Sequence, residues 1–219
     1  DIGALFEYVL KKKIEGYHIA VAMRSAGTCM TGGSLTFSIV VDTTKYMNHV
    51  TMVTGEYAVT EPGVYYRDFE KETLKEGWIM PSYPASRELA AMGGIVSNNS
   101  GGEKTLTYGK TEKYIQSLDV VYASGARDVL HAFTEEELEK KMNEHGEGGR
   151  IHKEMFELIS KNYDLIKSAK PTVSKNSSGY YLWNVYDRDT GVFDLSKLIA
   201  GSQGTLAGVT SITLTGVKP

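Results

Sequence analysis

Cysteine is nearly absent from this chain: Cys29 stands alone among 219 residues. A single thiol excludes an internal disulfide framework and fits a reducing compartment. Excess charge of one sign is also missing. The formal net charge of −3 brings no basic stripe and argues against nucleic acid as a partner. The Lys11-Lys12-Lys13 run reads as a solvated helix end, where cations suit the dipole. No apolar run approaches the ~20 residues that a membrane-spanning helix needs. No secretory signal opens the chain, but it starts at Asp1 and not at a methionine, so upstream sequence is expected to be missing.

Catalytic patterns are scarce as well. The five histidines (His18, His49, His131, His145, His152) show no metal-ligand spacing, so no metal centre is expected. His145 and His152 read as solvated helix ends, and His18 and His131 as structural residues bordering strands. No Gly-x-Ser-x-Gly elbow occurs. Gly109-Lys110-Thr111 looks like the end of a phosphate-binding Walker loop, but Lys104 stands where its first glycine is required. The acidic pairs Glu135/Glu139 and Asp187/Asp189 read as a helix start and a surface loop, and none stands out as an acid–base pair.

What is present is ordinary for a globular chain: 41% apolar and 23% charged residues, enough for one large domain or two small subdomains. In order, the pattern predicts a helix from Ile2 to about Lys13, stopped near Gly16, and a strand from Ile19 to Met23. A loop of small residues follows from Arg24 to Gly33, and then a β-rich run over residues 35–42. Short strands at 50–53 and 56–60 and a helix from about Tyr66 to Glu76, closed by Gly77, come next. A proline-marked segment, Met80 to Ser86, leads into a second stretch poor in side chains, Leu89 to Gly102.

Residues 114–123 and 129–133 read as a hairpin. Thr134 and Glu137 form a capping box opening a helix to about His145. Residues 146–149 read as a surface loop, and residues 151–168 as one helix with Met155, Leu158, Ile159, Leu165 and Ile166 as its buried stripe. Residues 171–181 read as polar loop, and residues 209–217 as a closing strand.

The small residues after Arg24 let a ligand approach the backbone, and successive N–H groups form a concavity for an anion. A dinucleotide-binding Rossmann loop must open a helix, and this one precedes a strand, so that reading fails. Several backbone-rich loops without a catalytic constellation suit a domain whose cofactor does the chemistry.

Five segments carry a resemblance. Arg24-Ser-Ala-Gly-Thr-Cys-Met-Thr-Gly-Gly is similar to the pyrophosphate loop of the FAD-linked oxidase family of vanillyl-alcohol-oxidase (PCMH) type. Met80 to Ser86, Ala91 to Gly101, Tyr108-Gly-Lys-Thr with the strand to Tyr122-Ala-Ser-Gly, and Gly201-Ser-Gln-Gly-Thr-Leu-Ala-Gly-Val-Thr resemble the family's later motifs in order. The glycolate-oxidase and D-lactate-dehydrogenase branch is the nearest in pattern.

The resemblance implies an α+β fold of mixed sheets flanked by helices, in two subdomains: residues 1–56, lacking a first strand, and residues 57–219. FAD would lie between them. Arg24, Ser25, Ala26, Gly27, Thr28, Cys29, Gly32 and Gly33 would hold the pyrophosphate. Pro84, Ala85, Ser86, Ala91, Met92, Gly93, Gly94, Val96, Asn98, Asn99, Ser100 and Gly101 would line the ribityl and ring end. Gly109 belongs to the same cofactor set, and Gly208 and Val209 would pass the adenine.

Ser25 and Ala26 replace two family glycines, Ser82-Tyr83 an aspartate-bearing pair, and Gln203 a glutamate. Relatives that bind FAD covalently use a histidine where Thr28 stands, which predicts dissociable FAD. The expected whole is an enzyme that oxidises a D-lactate- or glycolate-like 2-hydroxy acid by hydride transfer to FAD. It would pass electrons to an unidentified acceptor, with a substrate cap domain outside this chain and a homodimer compatible. The alternatives are a flavin-binding subunit without turnover and an oxidoreductase acting on a nucleotide sugar. A cytoplasmic setting is the default expectation, with peripheral docking at the inner membrane face in the full-length protein.

Overall fold

The computed structural model describes residues 1–173 and 176–219. It opens on α1 (Ile2–Ile14), with Lys11–Lys13 in its last turn. The N–H of Tyr17 returns to the Lys12 carbonyl and that of Gly16 to Lys13, the pairing that closes a helix at a glycine. Within its apolar pattern Val9 is buried and Leu10 exposed.

A parallel pair follows, β1 (Val21–Arg24) beside β2 (Ile39–Asp42), with Val21 opposite Ile39. The strands expected over 19–23 and 35–42 are therefore shortened. Pairing and not β propensity makes a strand: β1 offers partners only from Val21 onward, so Leu35 and Phe37 stay in a loop and stand exposed.

The large sheet is antiparallel throughout. Its strands are β3 (Val50–Val53), β4 (Tyr57–Thr60), β5 (Ile115–Val121), β6 (Arg127–Phe133), β7 (Tyr186–Asp187), β8 (Val192–Asp194) and β9 (Gly208–Thr215). Their spatial order is β3-β4-β9-β5-β6-β8-β7, so the last strand inserts between β4 and β5. β3 joins this sheet although it precedes residue 57. The chain is α+β, with parallel and antiparallel pairing divided between the two sheets.

Helices α2 (Tyr66–Lys75), α3 (Met92–Ser97), α4 (Thr105–Tyr108), α5 (Glu135–Met142), α6 (Glu147–Lys161), α7 (Tyr163–Ser168) and α8 (Ser196–Ile199) complete the fold. The core joins Phe69, Trp78, Met80, Met92 and Ile95 to Leu118, Leu130, Ile212 and Leu214 of the sheet. Each fully buried large side chain contributes roughly 1.5–3 kcal/mol of transfer free energy.

The capping box is present: Thr134 Oγ1 accepts from the Glu137 N–H, and the Glu137 carboxylate accepts from the Thr134 N–H at 2.8 Å. The Thr134 N–H and then the Thr134 hydroxyl, both donating to it, hold the Glu137 carboxyl below its ordinary pKa. α5 ends at Met142, short of His145.

Three expectations are corrected beyond that point. Residues 147–149 begin α6 and are not a surface loop, because Gly149 is buried against the Glu144 and Lys141 carbonyls, where no side chain fits. The predicted helix over 151–168 is two helices broken at Asn162, whose φ of −111° and ψ of 21° leave the helical region. Leu158 and Leu165 of its expected stripe are consequently exposed, and Ile159 alone of the five is fully buried.

His152 is buried as well, not a solvated end. Its ring packs against Phe133 and Phe193, and Nδ1 lies 2.8 Å from the Gly148 carbonyl. His145 and His18 are exposed, and His131 stacks on Phe133. Of the polar stretch expected over 171–181, Ser174 and Lys175 lie outside the described residues, and the rest carries no helix or strand.

Burial holds the pKa of His152 below its ordinary value of 6.5, against the opposing pull of the Gly148 carbonyl and Asp128. The unfolded chain therefore binds the extra proton first. The contribution to stability is complete above pH 6.5 and is lost as pH falls through the lower folded value. The urea midpoint is expected to drop between about pH 7.5 and about pH 5.5, and His152→Gln should flatten that drop. An identical slope in the variant would refute the assignment.

Candidate cofactor-binding site

Four backbone-rich segments meet around one cleft of about 510 Å³. The loop after β1 forms one wall, and the N-terminal turn of α3 forms another. Pro84 and Ser86 and the 203–209 segment complete it.

A single carbonyl couples the first two walls. Pro62 O accepts the Gly93 N–H at 2.8 Å and the Ser25 hydroxyl at 3.0 Å. Thr43, which follows β2, reinforces the seam by donating from its N–H at 2.9 Å to the Arg24 carbonyl. A Cβ on Gly93 would sit 2.6 Å from both the Pro62 ring and Ser25 Oγ, so only glycine fits there.

The far end of α3 is tied in the same way. Gly201 N–H donates to Val96 O, Gln203 N–H to Ser97 O at 2.8 Å, and Gln203 Nε2 to Asn98 Oδ1 at 3.2 Å. Asn98 Nδ2 in turn reaches Ser100 Oγ. Gln203 and Asn99 hold positive φ of 57° and 45°, conformations costing on the order of 1 kcal/mol in a side-chain-bearing residue.

The cleft wall is chemically uniform. Among its described lining residues there is no Asp, Glu, Lys, Arg or His. Cys29 is the one titratable side chain among those described residues. The Thr31 hydroxyl and then the N–H groups of Gly33 and Thr31 lower that thiol's pKa. Among the described residues, the N–H groups of Ala26, Gly27, Thr28 and Gly94 donate to no protein acceptor. Such a surface offers donors to an anion and, among its described lining residues, no carboxylate or imidazole to take a proton.

Of the residues expected to touch a cofactor, Ser25, Ala26, Gly27, Thr28, Cys29, Gly33, Pro84, Ser86, Ala91, Gly93, Gly94, Asn98, Ser100 and Val209 line this cleft. The others do not line it. Met92 and Val96 are buried in the core. Asn99 turns inward, its Oδ1 accepting from the Glu112 N–H at 3.0 Å. Gly101 abuts Thr105, Gly109 gives its carbonyl to the Ser82 hydroxyl, and Gly208 faces the Phe6 ring. Gly32, Ala85 and Arg24 are also absent from the wall.

Sequence reading missed Thr43, Pro62, Ala90, Ile95, Ser97 and Ala207, which line the cleft from outside the motifs or between their glycines. Pro62 left only a Glu-Pro-Gly turn signal. Gln203, noted as a departure, is on the wall.

A family described as "FAD binding domain" matches residues 11–129, more than half the chain. The chain belongs to this FAD-binding-domain family. Among curated proteins it is 27% identical over 197 residues to D-2-hydroxyglutarate dehydrogenase of Pantoea ananatis, covering 87% of this chain and 19% of that protein. It is 32% identical to glycolate oxidase subunit GlcD of Bacillus subtilis, covering 84% and 27%. With D-lactate dehydrogenase of Archaeoglobus fulgidus it shares 25%, covering 98% and 36%.

The chain thus spans between about a fifth and about a third of the length of these relatives. Among solved structures, 6-hydroxy-D-nicotine oxidase from Arthrobacter nicotinovorans superposes with a TM-score of 0.61 at 16% identity, over 99% of this chain and 34% of that one. An alkyldihydroxyacetonephosphate synthase gives 0.59 at 17%, over 99% and 32%. At those identities the likeness establishes the fold.

Proposed function

We propose that this FAD-binding domain holds its flavin non-covalently in the cleft and serves an oxidoreductase that acts on a 2-hydroxy acid. The carrying observation is the composition of the wall: free N–H donors and small side chains, with, among the described lining residues, no carboxylate to repel a diphosphate and no imidazole to bond to the flavin. Thr28 stands on that wall, and a threonine hydroxyl cannot form the histidyl bond that anchors FAD in some enzymes of similar sequence.

The two-unit arrangement, residues 1–56 against residues 57–219, is part of this reading. The seam at Pro62 supports it, since it joins the loop after β1 to α3 by two hydrogen bonds. When bound, FAD accepts the hydride. This chain's residues orient it: Ala26, Gly27 and Thr28 donate to the diphosphate, and Gly93 and Gly94 let it approach α3. Asn98 and Gln203 present paired carboxamides at the cleft. The group that takes the hydroxyl proton is assigned to residues outside this chain, because no carboxylate or imidazole stands among the described residues of the wall.

The hydroxy-acid substrate rests on the names of the curated relatives. A flavin-binding subunit without turnover is the second reading, favoured by that same lack of a base. Both claims are open to test on FAD-loaded protein. Acid precipitation should leave the flavin in the supernatant; yellow protein in the pellet would contradict non-covalent binding. Adding D-lactate, glycolate or D-2-hydroxyglutarate with a dye acceptor should bleach the flavin if this chain suffices for turnover. In the full-length protein one of the three is expected to reduce the dye, and no reduction there with any of them would support the subunit reading.

A further inference from the structure

We infer that Arg24 acts on a bound diphosphate from behind the loop, through Gly27, as a positioning residue and not as a direct ligand. This rests on the FAD reading of the cleft. Met23 and Ser25, its neighbours in sequence, both line the cleft, but Arg24 does not. Its guanidinium lies against Gly27 instead. A Cβ on Gly27 would sit 2.5 Å from Nη2, 2.6 Å from Cζ and 3.0 Å from Nε. Gly27 also holds φ of 70°, so its missing side chain serves twice: it permits the turn and admits the guanidinium.

The cation has no anion of its own. Among the described residues no carboxylate lies within ion-pairing distance of Arg24. Asp42, its partner in the β1–β2 register, gives Oδ1 to the Thr44 N–H at 2.8 Å and to the Thr44 hydroxyl at 2.6 Å. A partly buried guanidinium is poorly served by such a place unless an anion shares its field. The free N–H groups of Ala26, Gly27 and Thr28 mark where that anion would be.

The arrangement has two separable parts. A planar group fills the space behind Gly27 and fixes the loop's course, and its charge adds to the N–H dipoles that meet the phosphates. Lysine keeps the charge without the plane, and glutamine keeps a planar end without the charge.

Flavin fluorescence titration of wild type, Arg24→Lys and Arg24→Gln with FAD, at low and high salt, tests this. At low salt Arg24→Gln is expected to bind FAD at least about tenfold more weakly, and the gap should narrow as salt screens the charge. Arg24→Lys is expected to stay within about threefold of wild type, since charge is the larger part. In competition, ADP should lose as much affinity for Arg24→Gln as FAD does, and adenosine none.

Equal losses in both variants at both salts would reduce Arg24 to packing support and overturn the inference. So would an Arg24→Gln variant that binds like wild type. If far-UV circular dichroism shows Arg24→Gln unfolded, Arg24→Lys decides alone: near-wild-type affinity supports the inference, and a loss beyond about tenfold overturns it. Failure of the wild type to bind FAD would strike the cofactor reading itself, a different result from any of these.

Discussion

Gly93→Ala is expected to weaken FAD binding at least about tenfold and to destabilise the fold by about 1–3 kcal/mol. The new methyl would stand 2.6 Å from the Pro62 ring and from Ser25 Oγ, closer than any real Cβ contact. Neither neighbour is a flexible chain end. Ser25 is engaged with Pro62 O, and that carbonyl also receives the Gly93 N–H. The seam between the two walls must open, and both sets of N–H donors lose their mutual placement.

Gly94→Ala is the matched control. Nothing lies within 4 Å of a Cβ there, and the residue faces the cleft. Alanine should leave stability unchanged or raise it by up to about 1 kcal/mol, as alanine does over glycine within a helix. Its methyl still intrudes on the ligand. Stability lost with affinity at 93, and affinity alone at 94, is the pattern expected from urea unfolding and flavin titration together. Equal behaviour of the two variants would contradict the seam.

The second large effect is at residues that do not line the cleft. Asp128→Ala is expected to cost about 2–4 kcal/mol, because the Tyr122 hydroxyl and the Val129 N–H lose their acceptor and Lys141 is left with only Glu144, at 2.8 Å. The Asp128 side chain is 5% exposed and Lys141 13%. Oδ1 accepts from Lys141 Nζ at 2.8 Å and from the Val129 N–H at 2.9 Å, and Oδ2 accepts from the Tyr122 hydroxyl at 3.0 Å. Burial, with Asp128 next, pushes the Tyr122 phenol well above its ordinary pKa, so it stays a donor throughout the working range.

A Cβ on Gly148 would meet Oδ2 at 2.6 Å, so the first turn of α6 rests on this carboxylate. For a chain of this size the loss corresponds to a Tm lower by roughly 10 °C. None of these residues lines the FAD cleft, and FAD affinity at low temperature should be unchanged. A Tm within about 2 °C of wild type would show that the network carries no net stability.

Local signals were legible in the sequence where local physics decides. The capping box at Thr134 and Glu137, the glycine that ends α1 and the hairpin of β5 and β6 all depend on residues close in the chain. The order of the five motifs was legible too, and it led to the family that residues 11–129 match. Long-range placement was not. Nothing local marks His152 as buried, since its partners come from β6 and β8.

Leu35 and Phe37 have strand propensity without a strand to pair with. Pro62 and Thr43 reach the cleft only because residues distant in sequence fold together at the seam. Arg24 shows the same limit from the other side. A cation beside a phosphate loop reads as a ligand, and only the structure shows its guanidinium lying against Gly27.

The most direct measurement is titration of the purified 219-residue chain with FAD, followed by flavin fluorescence and by the visible flavin spectrum after removal of free cofactor. The structure predicts saturation at one FAD per chain and flavin bands that persist through desalting, yet are released by acid. A chain that is folded by circular dichroism but retains no FAD at any concentration tried would contradict the cofactor assignment of this cleft.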